Sequence, residues 1–551
     1  MSASRFWLVM AALVALAAAV RLFVYCQRDY IGHADESAYT SLAQSIASGA
    51  GMSLGGEAHV HFPPGYPFAI SLALRCGAGP ARAGQIVSVI AGVALVLAMG
   101  LLARDLYGAR VGVVAATMLV LLPDAVQRAT AGMSEALFTV LLVAAYTALV
   151  RSYRAQRPLG RAVGVLSAGL LFGAGYLVRP EGLLAATLAA LAVMALALSA
   201  HRGIPSASGD AALVIAGSAL VALPYVLYLH SVTGAWQLTG KGAYTALGLS
   251  GGSNQPGEKA ERWYGLTEDG ELRAERAEEI APSMLELFSP RQYAKRLYDT
   301  YNSTVESYTD PIFMALIGIG ALASLVSPRR TALALLPVSA LGLGVVLPAV
   351  HPGRRYLSPL ITLLVVFAAL GAVHLSERIA ALRAGSGEEA QIAVPAAPWL
   401  VPIVLLVTLP WLKPSVIDWW QAPRTGEIPL EEKTAGEWIA RNLAPDAILM
   451  VAEARIGYYA HRRSVTTPFA QLPAVLDYAR AHGVTHLVVT ERWTSSLRPK
   501  LEPLLDPANA PPELKLVHHQ QTPEGWSVAA DVLIYEILPG SDHAATGDAT
   551  D

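Results

Sequence analysis

Long apolar runs recur along the first three quarters of the chain. A helix needs about 20 apolar residues to cross a bilayer, because backbone amides in the hydrocarbon core must be hydrogen-bonded within the protein. Such runs predict about eleven spans. They lie near residues 6–25, 83–103, 111–124, 134–150, 161–178, 182–200, 211–230, 311–327, 331–350, 356–375 and 398–413.

The arginines of the short loops indicate the orientation of these spans. Cytoplasmic loops of membrane proteins are enriched in Lys and Arg. With the amino terminus inside, the internal loops contain Arg104, Arg110, Arg151, Arg154, Arg157, Arg161, Arg202, Arg329, Arg330, Arg378 and Arg383. An odd number of spans then places the carboxyl terminus outside. Three polar stretches become external, namely residues 26–82, 231–310 and everything after about residue 415.

After residue 415 the pattern changes to short apolar strands that alternate with amphipathic helices. Strands are predicted at residues 448–452, 486–490 and 532–537, and helices at 432–442 and 472–482. This alternation predicts a small α/β domain over residues 415–540, followed by a disordered tail, 541–551. The predicted fold class is therefore a mainly α, polytopic membrane core, residues 1–414 with the external loops 26–82 and 231–310, plus an extracytoplasmic α/β domain.

The composition agrees with this division and excludes several classes of function. The chain is 54% hydrophobic and 15% charged, whereas about a quarter of a soluble domain is charged. Lys and Arg number 40 against 42 Asp and Glu, so there is no basic excess for a nucleic acid partner. The two cysteines, Cys26 and Cys76, exclude a disulfide scaffold and a cysteine-built metal centre. Both fall in one external loop, where a single bridge is permitted although isolated cysteines are more often unpaired.

The first external loop opens with two adjacent carboxylates, Asp35 and Glu36. A stretch with Tyr39, Leu42 and Ile46 at helical spacing follows, which would be held by packing near the bilayer boundary. A carboxylate fixed there can deprotonate an incoming hydroxyl while a lipid-linked donor lies beside it. Alternatively, Asp35 caps the helix and Glu36 occupies its first turn, where the helix dipole favours negative charge. The residue types leave both interpretations open, and Glu36 and Tyr39 are further candidates for contact with sugar or acceptor.

The same loop ends with His59, His61 and a Pro-Pro-Gly-Tyr segment at residues 63–66. The apolar stretch that follows, up to Leu74, is too short to span and suits a helix lying in the membrane interface. Two histidines without a third ligand at suitable spacing are more often polar loop residues than metal ligands. We therefore predict no metal, and His61 is a candidate for contact with a sugar or acceptor.

Several of these features resemble the membrane-embedded GT-C glycosyltransferases. The Asp-Glu pair after the first span, the Pro-Pro-Gly-Tyr segment and the Ala-Arg-Asp-Leu-Tyr-Gly turn at residues 103–108 are similar to the protein O-mannosyltransferase group. Its bacterial kin include lipid A aminoarabinose and galacturonic acid transferases. The resemblance covers roughly residues 1–540 and implies a polyprenyl monophosphate sugar donor, with Asp35 as the catalytic base. The family often has a basic residue beside the double proline, where this chain has His61-Phe62, so no phosphate contact is inferred there.

Charged residues at the outer ends of later spans are further candidates. Glu135 follows Ser134 at the start of a span and is either a first-turn charge behind a cap or a contact for sugar or acceptor. Arg179 and Glu181 flank Pro180, which is well suited to start the next helix. This Arg and Glu either pair with one another or face the cavity that the external loops close. In the second case Arg179 is a candidate for contact with the donor phosphate and Glu181 for contact with sugar or acceptor.

A basic turn at residues 351–356 lies on the outer side, where positive charge in short loops is otherwise scarce. His351, Arg354, Arg355 and Tyr356 in this turn indicate a local anion, since the planar guanidinium of Arg is suited to phosphate. The alternative is that these arginines extend to lipid headgroups. The Arg-Tyr step also resembles a late-span motif of the same family, and Lys241 in the second long loop is a further phosphate candidate.

Together these residues predict a glycosyltransferase of the bacterial inner membrane with its site on the extracytoplasmic face. Its partners would be membrane lipid, a polyprenyl phosphate-linked sugar and a glycan, lipid or protein acceptor, without a cofactor. Direct displacement by the acceptor hydroxyl, with Asp35 as its base, would invert the anomeric carbon. Two other classes stay open, a transporter or flippase and a non-catalytic envelope-assembly protein. A transporter would place charges near the membrane midplane and often contain paired repeats, and neither pattern is visible here.

Overall fold

A computed structural model of the protein describes residues 1–199, 204–250, 256–283, 289–308, 310–325, 337–350, 354–384 and 397–539. The chain divides into two compact units. The first consists of Met1–Asp29, Tyr39–Gly240 and Pro290–Trp420. The second consists of Tyr30–Ala38, Lys241–Ser289 and Gln421–Asp551.

Helices dominate the first unit. In chain order the helices up to residue 233 are α1 (Ala3–Gln27), α2 (Ala34–Ala47), α3 (Gly65–Arg75), α4 (Pro80–Tyr107), α5 (Ala109–Leu121), α6 (Pro123–Thr130), α7 (Glu135–Ser152), α8 (Pro158–Val178), α9 (Glu181–Ser199) and α10 (Ile204–Thr233). Two short strands, β1 (Ser53–Leu54) and β2 (Glu57–Ala58), form an antiparallel pair.

The next helices continue to residue 412. They are α11 (Gly242–Leu249), α12 (Pro256–Tyr264), α13 (Ala277–Ile280), α14 (Pro290–Tyr308), α15 (Pro311–Ser324), α16 (Leu341–Val350), α17 (Ser358–Ala384) and α18 (Ala397–Leu412). A 3₁₀ helix, Arg354–Leu357, precedes α17, and a π-helical turn, Lys413–Ile417, follows α18.

The predicted polytopic fold is confirmed. Among the described residues, eight helices are long and apolar enough to cross a membrane, and α5 with α6 forms a ninth candidate that bends by 61°. We predicted about eleven spans. Of the others, the span at 311–327 corresponds to α15, which has only 14 residues, and the span at 331–350 begins in residues outside the described part of the chain.

The bend between α5 and α6 is stabilised by a buried arginine that the sequence analysis did not single out. Pro123 has no amide hydrogen, so the carbonyl of Leu119 lacks its helical partner four residues on. Arg21 of α1, fully buried, supplies it, because its Nη2 donates to Leu119 O at 3.3 Å and its Nη1 to Val120 O at 3.4 Å. A cation at the carboxyl end of α5 also complements the helix dipole.

Two glycines bring α15 and α17 into direct backbone contact. A Cβ atom on Gly320 would lie 1.8 Å from Phe367 O, and one on Gly371 would lie 2.0 Å from Leu316 O. Small residues at such crossings allow membrane helices to approach closely. The two helices therefore pack as a pair despite the short length of α15.

The second unit contains a five-stranded sheet. Its further elements are α19 (Asp418–Thr425), α20 (Leu430–Asn442), β3 (Leu449–Val451), α21 (Arg455–Ala460), β4 (Ser464–Thr466), α22 (Leu472–Ala481), β5 (His486–Thr490), α23 (Glu491–Leu497), β6 (Leu514–Gln520) and β7 (Val532–Ile537). The strand order is β4-β3-β5-β7-β6, with β3 parallel to both neighbours and β7 antiparallel to β5 and β6.

The three predicted strands and two predicted helices of this unit are confirmed, and two edge strands were missed. The missed strand β4 has only three residues, and β6 is mostly partly exposed with polar residues at its end. Neither contains the continuous apolar run of the central strands, which are buried on both faces. Apolar clusters cover the sheet, one around Met450, Leu487 and Leu533 and another around Leu449 and Ile534.

Part of the second long loop packs with this sheet. Leu272 lies in the same apolar cluster as Val475, and Phe469 N–H donates to Tyr264 O at 2.7 Å. We had grouped all of residues 231–310 with the membrane core, whereas Lys241–Ser289 belongs to the second unit. The predicted tail, 541–551, lies outside the described residues. Cys26 and Cys76 are both free thiols.

Candidate functional site

Charged and aromatic residues that are distant in sequence meet at the helix ends of the first unit. Arg179 lies at the centre of this arrangement, which we call the Arg179 cluster. The predicted candidates that it contains are Tyr39, Glu135, Arg179, Glu181, Arg355 and Tyr356. They come from α2, α7, the α8–α9 junction and the 3₁₀ helix before α17.

Two carboxylates hold the buried guanidinium of Arg179. Its Nη1 lies 3.1 Å from Glu135 Oε1, and its Nη2 donates to Glu181 Oε1 at 3.0 Å. Nη1 also donates to Ser134 Oγ at 3.4 Å. The structure therefore contains the Arg179–Glu181 ion pair that the sequence left as one of two alternatives, and Glu135 is a third member of this group.

Local backbone structure explains why these three residues converge. Arg179 ends α8 in an extended conformation, with φ −149° and ψ 135°, so the chain turns at once into α9. Glu135 and Glu181 are the first residues of α7 and α9. Carboxylates at these positions interact favourably with the helix dipole, which partly offsets the cost of burying them.

Tyr39 connects the Arg179 cluster to the Pro-Pro-Gly-Tyr segment. Its hydroxyl lies 3.3 Å from Ser134 Oγ, and its ring contacts the rings of Phe62 at 4.6 Å and Tyr66 at 5.0 Å between centroids. The ring of His61 packs edge-on against Phe62 at 4.8 Å. His61 is thus placed one ring away from Tyr39.

Gly65 allows the Pro-Pro-Gly-Tyr segment to approach the backbone of helix α8 closely. A Cβ atom there would lie 2.6 Å from Leu177 O, two residues before Arg179. Tyr66 Oη donates to Gly84 O at 3.0 Å, which attaches the segment to α4. Any larger residue at position 65 must therefore displace the segment from the Arg179 cluster.

The basic turn contributes two aromatic–cation contacts. The guanidinium carbon of Arg179 lies 5.0 Å from the Tyr356 ring, and that of Arg355 lies 5.2 Å from the same ring. Arg355 Nη2 also donates to Tyr356 Oη at 3.3 Å. Of the other predicted phosphate ligands, His351 lies outside the described residues, as does the side chain of Arg354.

A second buried ion pair borders this arrangement and was not predicted. Arg128 Nε lies 3.2 Å from Asp124 Oδ1 within α6, and Ser358 of α17 donates to Asp124 Oδ2. The spacing of four residues between Asp124 and Arg128 is the one available signal in the sequence. The contribution of Ser358 depends on the packing of two distant helices.

The predicted base belongs to the second unit. Asp35 is the second residue of α2, with a side chain 24% exposed and its Oδ2 3.8 Å from His33 Nδ1. Its backbone N–H donates to His33 Nδ1 at 3.2 Å. By the periodicity of the helix, Asp35 and Tyr39 lie on the same face of α2, one turn apart.

Glu36 is nearly fully buried and has a local structural contact. Its Oε2 accepts a hydrogen bond from Gly32 N–H at 2.8 Å, so the carboxylate closes the first turn of α2 from inside the helix. Lys241 immediately precedes α11 in the second unit. Roles of these two residues in binding sugar or phosphate stay predictions.

In the described part of the chain, no three or more His, Cys, Asp or Glu side chains are grouped to hold a metal ion. His59 instead has a structural contact, since its Nε2 accepts a hydrogen bond from Phe62 N–H at 3.1 Å. Its ring also stacks on Phe62 at 5.5 Å.

A family model and several solved structures are similar to this chain. Residues 61–228, which include Glu135, Arg179 and Glu181, match the family model described as dolichyl-phosphate-mannose-protein mannosyltransferase. No curated protein sequence matches the chain significantly.

Solved structures of membrane glycosyltransferases share the fold over most of the chain. ArnT from Cupriavidus metallidurans, in a structure bound to undecaprenyl phosphate, superimposes with a TM-score of 0.60 at 12% identity, covering 97% of this chain and 98% of its own. The Archaeoglobus fulgidus oligosaccharyltransferase tethered with an acceptor peptide gives a TM-score of 0.53 at 14% identity, with 90% and 72% coverage. The oligosaccharyltransferase AglB from Archaeoglobus fulgidus, in complex with an inhibitory peptide and a dolichol-phosphate, gives a TM-score of 0.51 at 14% identity, with 89% and 70% coverage. The chain is thus a multi-pass membrane protein with the GT-C fold, as its sequence resemblance predicted.

Proposed function

We propose that this protein transfers a sugar from a polyprenyl phosphate carrier to a hydroxyl acceptor at the outer face of a bacterial inner membrane. The observation that carries the proposal is the Arg179 cluster, a buried set of cationic, acidic and aromatic side chains at the helix ends of a GT-C fold. Buried ionisable groups in membrane proteins are costly and are usually retained for function. The undecaprenyl phosphate and dolichol-phosphate bound by the compared proteins support a lipid phosphate as the donor.

The proposed reaction is a single displacement with Asp35 as general base. Asp35 takes the proton of the acceptor hydroxyl while that oxygen forms a bond to the anomeric carbon. The bond from the anomeric carbon to the phosphate oxygen breaks with its electron pair, so polyprenyl phosphate leaves as an anion and the anomeric carbon inverts. A phosphate leaving group needs no protonated acid on the opposite face, in contrast to the alcohol that leaves in glycoside hydrolysis.

Position and chemistry give the arginines of the first unit different roles in this proposal. Arg179 contacts Glu135, Glu181 and the ring of Tyr356, so we assign it the role of fixing Glu135 and Tyr356. We assign the leaving phosphate to Arg355 together with Arg354 and His351, because they share one basic turn and a planar guanidinium suits phosphate. Preorganised cations that face developing charge are among the largest contributions to enzymatic rate enhancement. Glu181, Tyr39 and His61 remain candidates for contacts with sugar or acceptor.

The proposal is tested with membranes that contain the full-length protein and a panel of polyprenyl phosphate sugars. Asp35→Asn should abolish transfer at unchanged protein abundance, and Arg355→Gln should reduce it by roughly 10²–10³-fold, as expected for loss of one charge-stabilising group. Asp29→Asn and Arg82→Gln are matched controls, because this exposed pair, 3.3 Å apart, lies outside the Arg179 cluster. Full activity of Asp35→Asn would remove Asp35 from the role of base.

A further inference from the structure

The segment that leads into Asp35 is part of the second unit and contacts helix α21, which follows strand β3. Strand β3 lies between β4 and β5 and is parallel to both. The chain passes from β3 to β4 on one side of β3, and then to β5 on its other side. Open parallel sheets bind their partners at this kind of topological switch point, outside the carboxyl ends of the strands. Here the residues that follow these two ends include Glu453, Arg455 and Trp493.

Arg455 donates directly to the backbone of the segment before α2. Its Nη1 donates to Gly32 O at 2.8 Å. Gly32 N–H in turn donates to the Glu36 carboxylate. Both the N–H and the C=O group of Gly32 are therefore hydrogen-bonded, three residues before Asp35.

The guanidinium of Arg455 is itself fixed on its other edge. Its Nη2 donates to Glu432 Oε1 at 2.9 Å, and its Nε lies 2.6 Å from Glu432 Oε2. Trp493 Nε1 donates to the same carboxylate, and the Trp493 ring lies 5.4 Å from the guanidinium carbon. Glu432 and Arg455 are both buried. A two-point contact between Arg and a carboxylate adds directional specificity, so Nη1 points in one direction.

Tyr459, one turn after Arg455 in α21, provides a second contact. Its hydroxyl accepts a hydrogen bond from Ile31 N–H at 2.5 Å. Ile31 is itself buried, as is Tyr30, which packs with Ala422 and Ile428. The backbone groups of two consecutive residues, Ile31 N–H and Gly32 C=O, are thus hydrogen-bonded to one six-residue helix of the α/β domain.

We propose that Arg455 and Tyr459 are positioning residues for the reaction, through which the carboxyl-terminal α/β domain sets the location of Asp35. This inference rests on the proposed function of Asp35 as base. The domain then acts neither as a separate binding module nor as a passive appendage. A displacement of about 1 Å in a reacting group can reduce the rate by about 10²-fold. Weakening either contact should therefore lower kcat by about 10- to 100-fold while the KM for the lipid donor stays within about two-fold.

Two pairs of matched variants separate this role from general damage to the domain. Tyr459→Phe removes the hydroxyl that receives Ile31 N–H, whereas Tyr535→Phe removes a buried hydroxyl of the same domain that donates to Leu504 O. Arg455→Lys removes the two-point contact and the bond to Gly32. Arg498→Lys changes another buried arginine, which donates to Thr467 O at 2.5 Å.

Two readouts on the full-length protein decide the proposal. Hydrogen–deuterium exchange should accelerate in the peptide covering residues 30–36 in Tyr459→Phe and Arg455→Lys, and stay unchanged there in the two controls. Steady-state transfer should lose kcat in the same two variants alone. Equal exchange in all four variants, or equal losses of kcat in test and control variants, would overturn the positioning role.

Failure of the proposed function has a different signature. In that case the unsubstituted protein transfers no sugar from any donor of the panel. The exchange comparison needs no substrate, so unchanged exchange at residues 30–36 would still overturn the inference. Accelerated exchange would then still show that α21 holds this segment, while the role in catalysis would fall with the proposed function.

Discussion

Replacement of Arg179 by Met should destabilise the protein because two carboxylates lose their counterion. Arg179 is 8% exposed, Glu135 1% and Glu181 9%, so water replaces little of the lost attraction. Removing one partner of a buried ion pair costs about 3–5 kcal/mol, since the remaining charge stays buried and uncompensated. For a helical unit of this size, that cost corresponds to a decrease of roughly 5 °C in Tm.

The triple variant Arg179→Met, Glu135→Gln and Glu181→Gln isolates the electrostatic origin of this cost. Replacing all members of a buried ionic group with neutral residues of similar volume is often close to neutral in stability. The triple variant should therefore regain most of the lost Tm. It should not regain transfer activity, because the cation that fixes Tyr356 is still missing.

Thermal unfolding of the detergent-solubilised protein, followed by tryptophan fluorescence, measures both effects. Lys515→Met is the control, because its exposed pair with Glu536 should contribute less than about 1 kcal/mol. If Arg179→Met unfolds within about 1 °C of the unsubstituted protein, or the triple variant is as unstable as the single one, the charge argument is wrong.

Three further predictions concern other parts of the chain. Arg21→Met should lower the free energy of unfolding by about 1–3 kcal/mol, because the Leu119 carbonyl at the α5–α6 bend loses its hydrogen-bond donor. An unchanged unfolding temperature in detergent would contradict this. Gly65→Ala should lower the rate of sugar transfer, because its Cβ would lie 2.6 Å from Leu177 O. Gly79→Ala should leave the rate unchanged, because a Cβ there has no atom within 4 Å. Equal transfer rates in the two variants would refute the argument. Burial raises the pKa of Glu432 to about 7 against the attraction of Arg455, so folding takes up a proton between about pH 4.5 and 7. Stability should therefore fall as pH rises through this window, and Glu432→Gln should flatten the pH profile of Tm; an unchanged slope would exclude this carboxyl as its source.

The sequence was sufficient for the fold class because lipid imposes strong constraints on composition. Apolar runs of span length identified the membrane helices, and continuous apolar strands identified the centre of the sheet. Edge strand β4 was missed because three half-exposed residues contain little periodic signal. Residues 241–289 were assigned to the membrane core because loop sequence does not reveal which unit a loop contacts.

Most residues of the Arg179 cluster could be selected because charges at the ends of apolar spans are rare. Glu135, Arg179 and Glu181 stood out for this reason, and their convergence required only that helix ends meet. Arg21 and Ser358 could not be found in this way. Their partners are a backbone carbonyl and a carboxylate on other helices, and such pairings follow from packing geometry alone.

The central claim is that this protein consumes a polyprenyl phosphate-linked sugar. The most direct measurement is mass spectrometry of lipid-linked sugars and envelope glycans from cells that carry the unsubstituted protein, Asp35→Asn or no copy. We predict that one polyprenyl phosphate sugar accumulates equally in the latter two strains while one glycan loses that sugar. Identical lipid-linked sugars and glycans in all three strains would contradict the account.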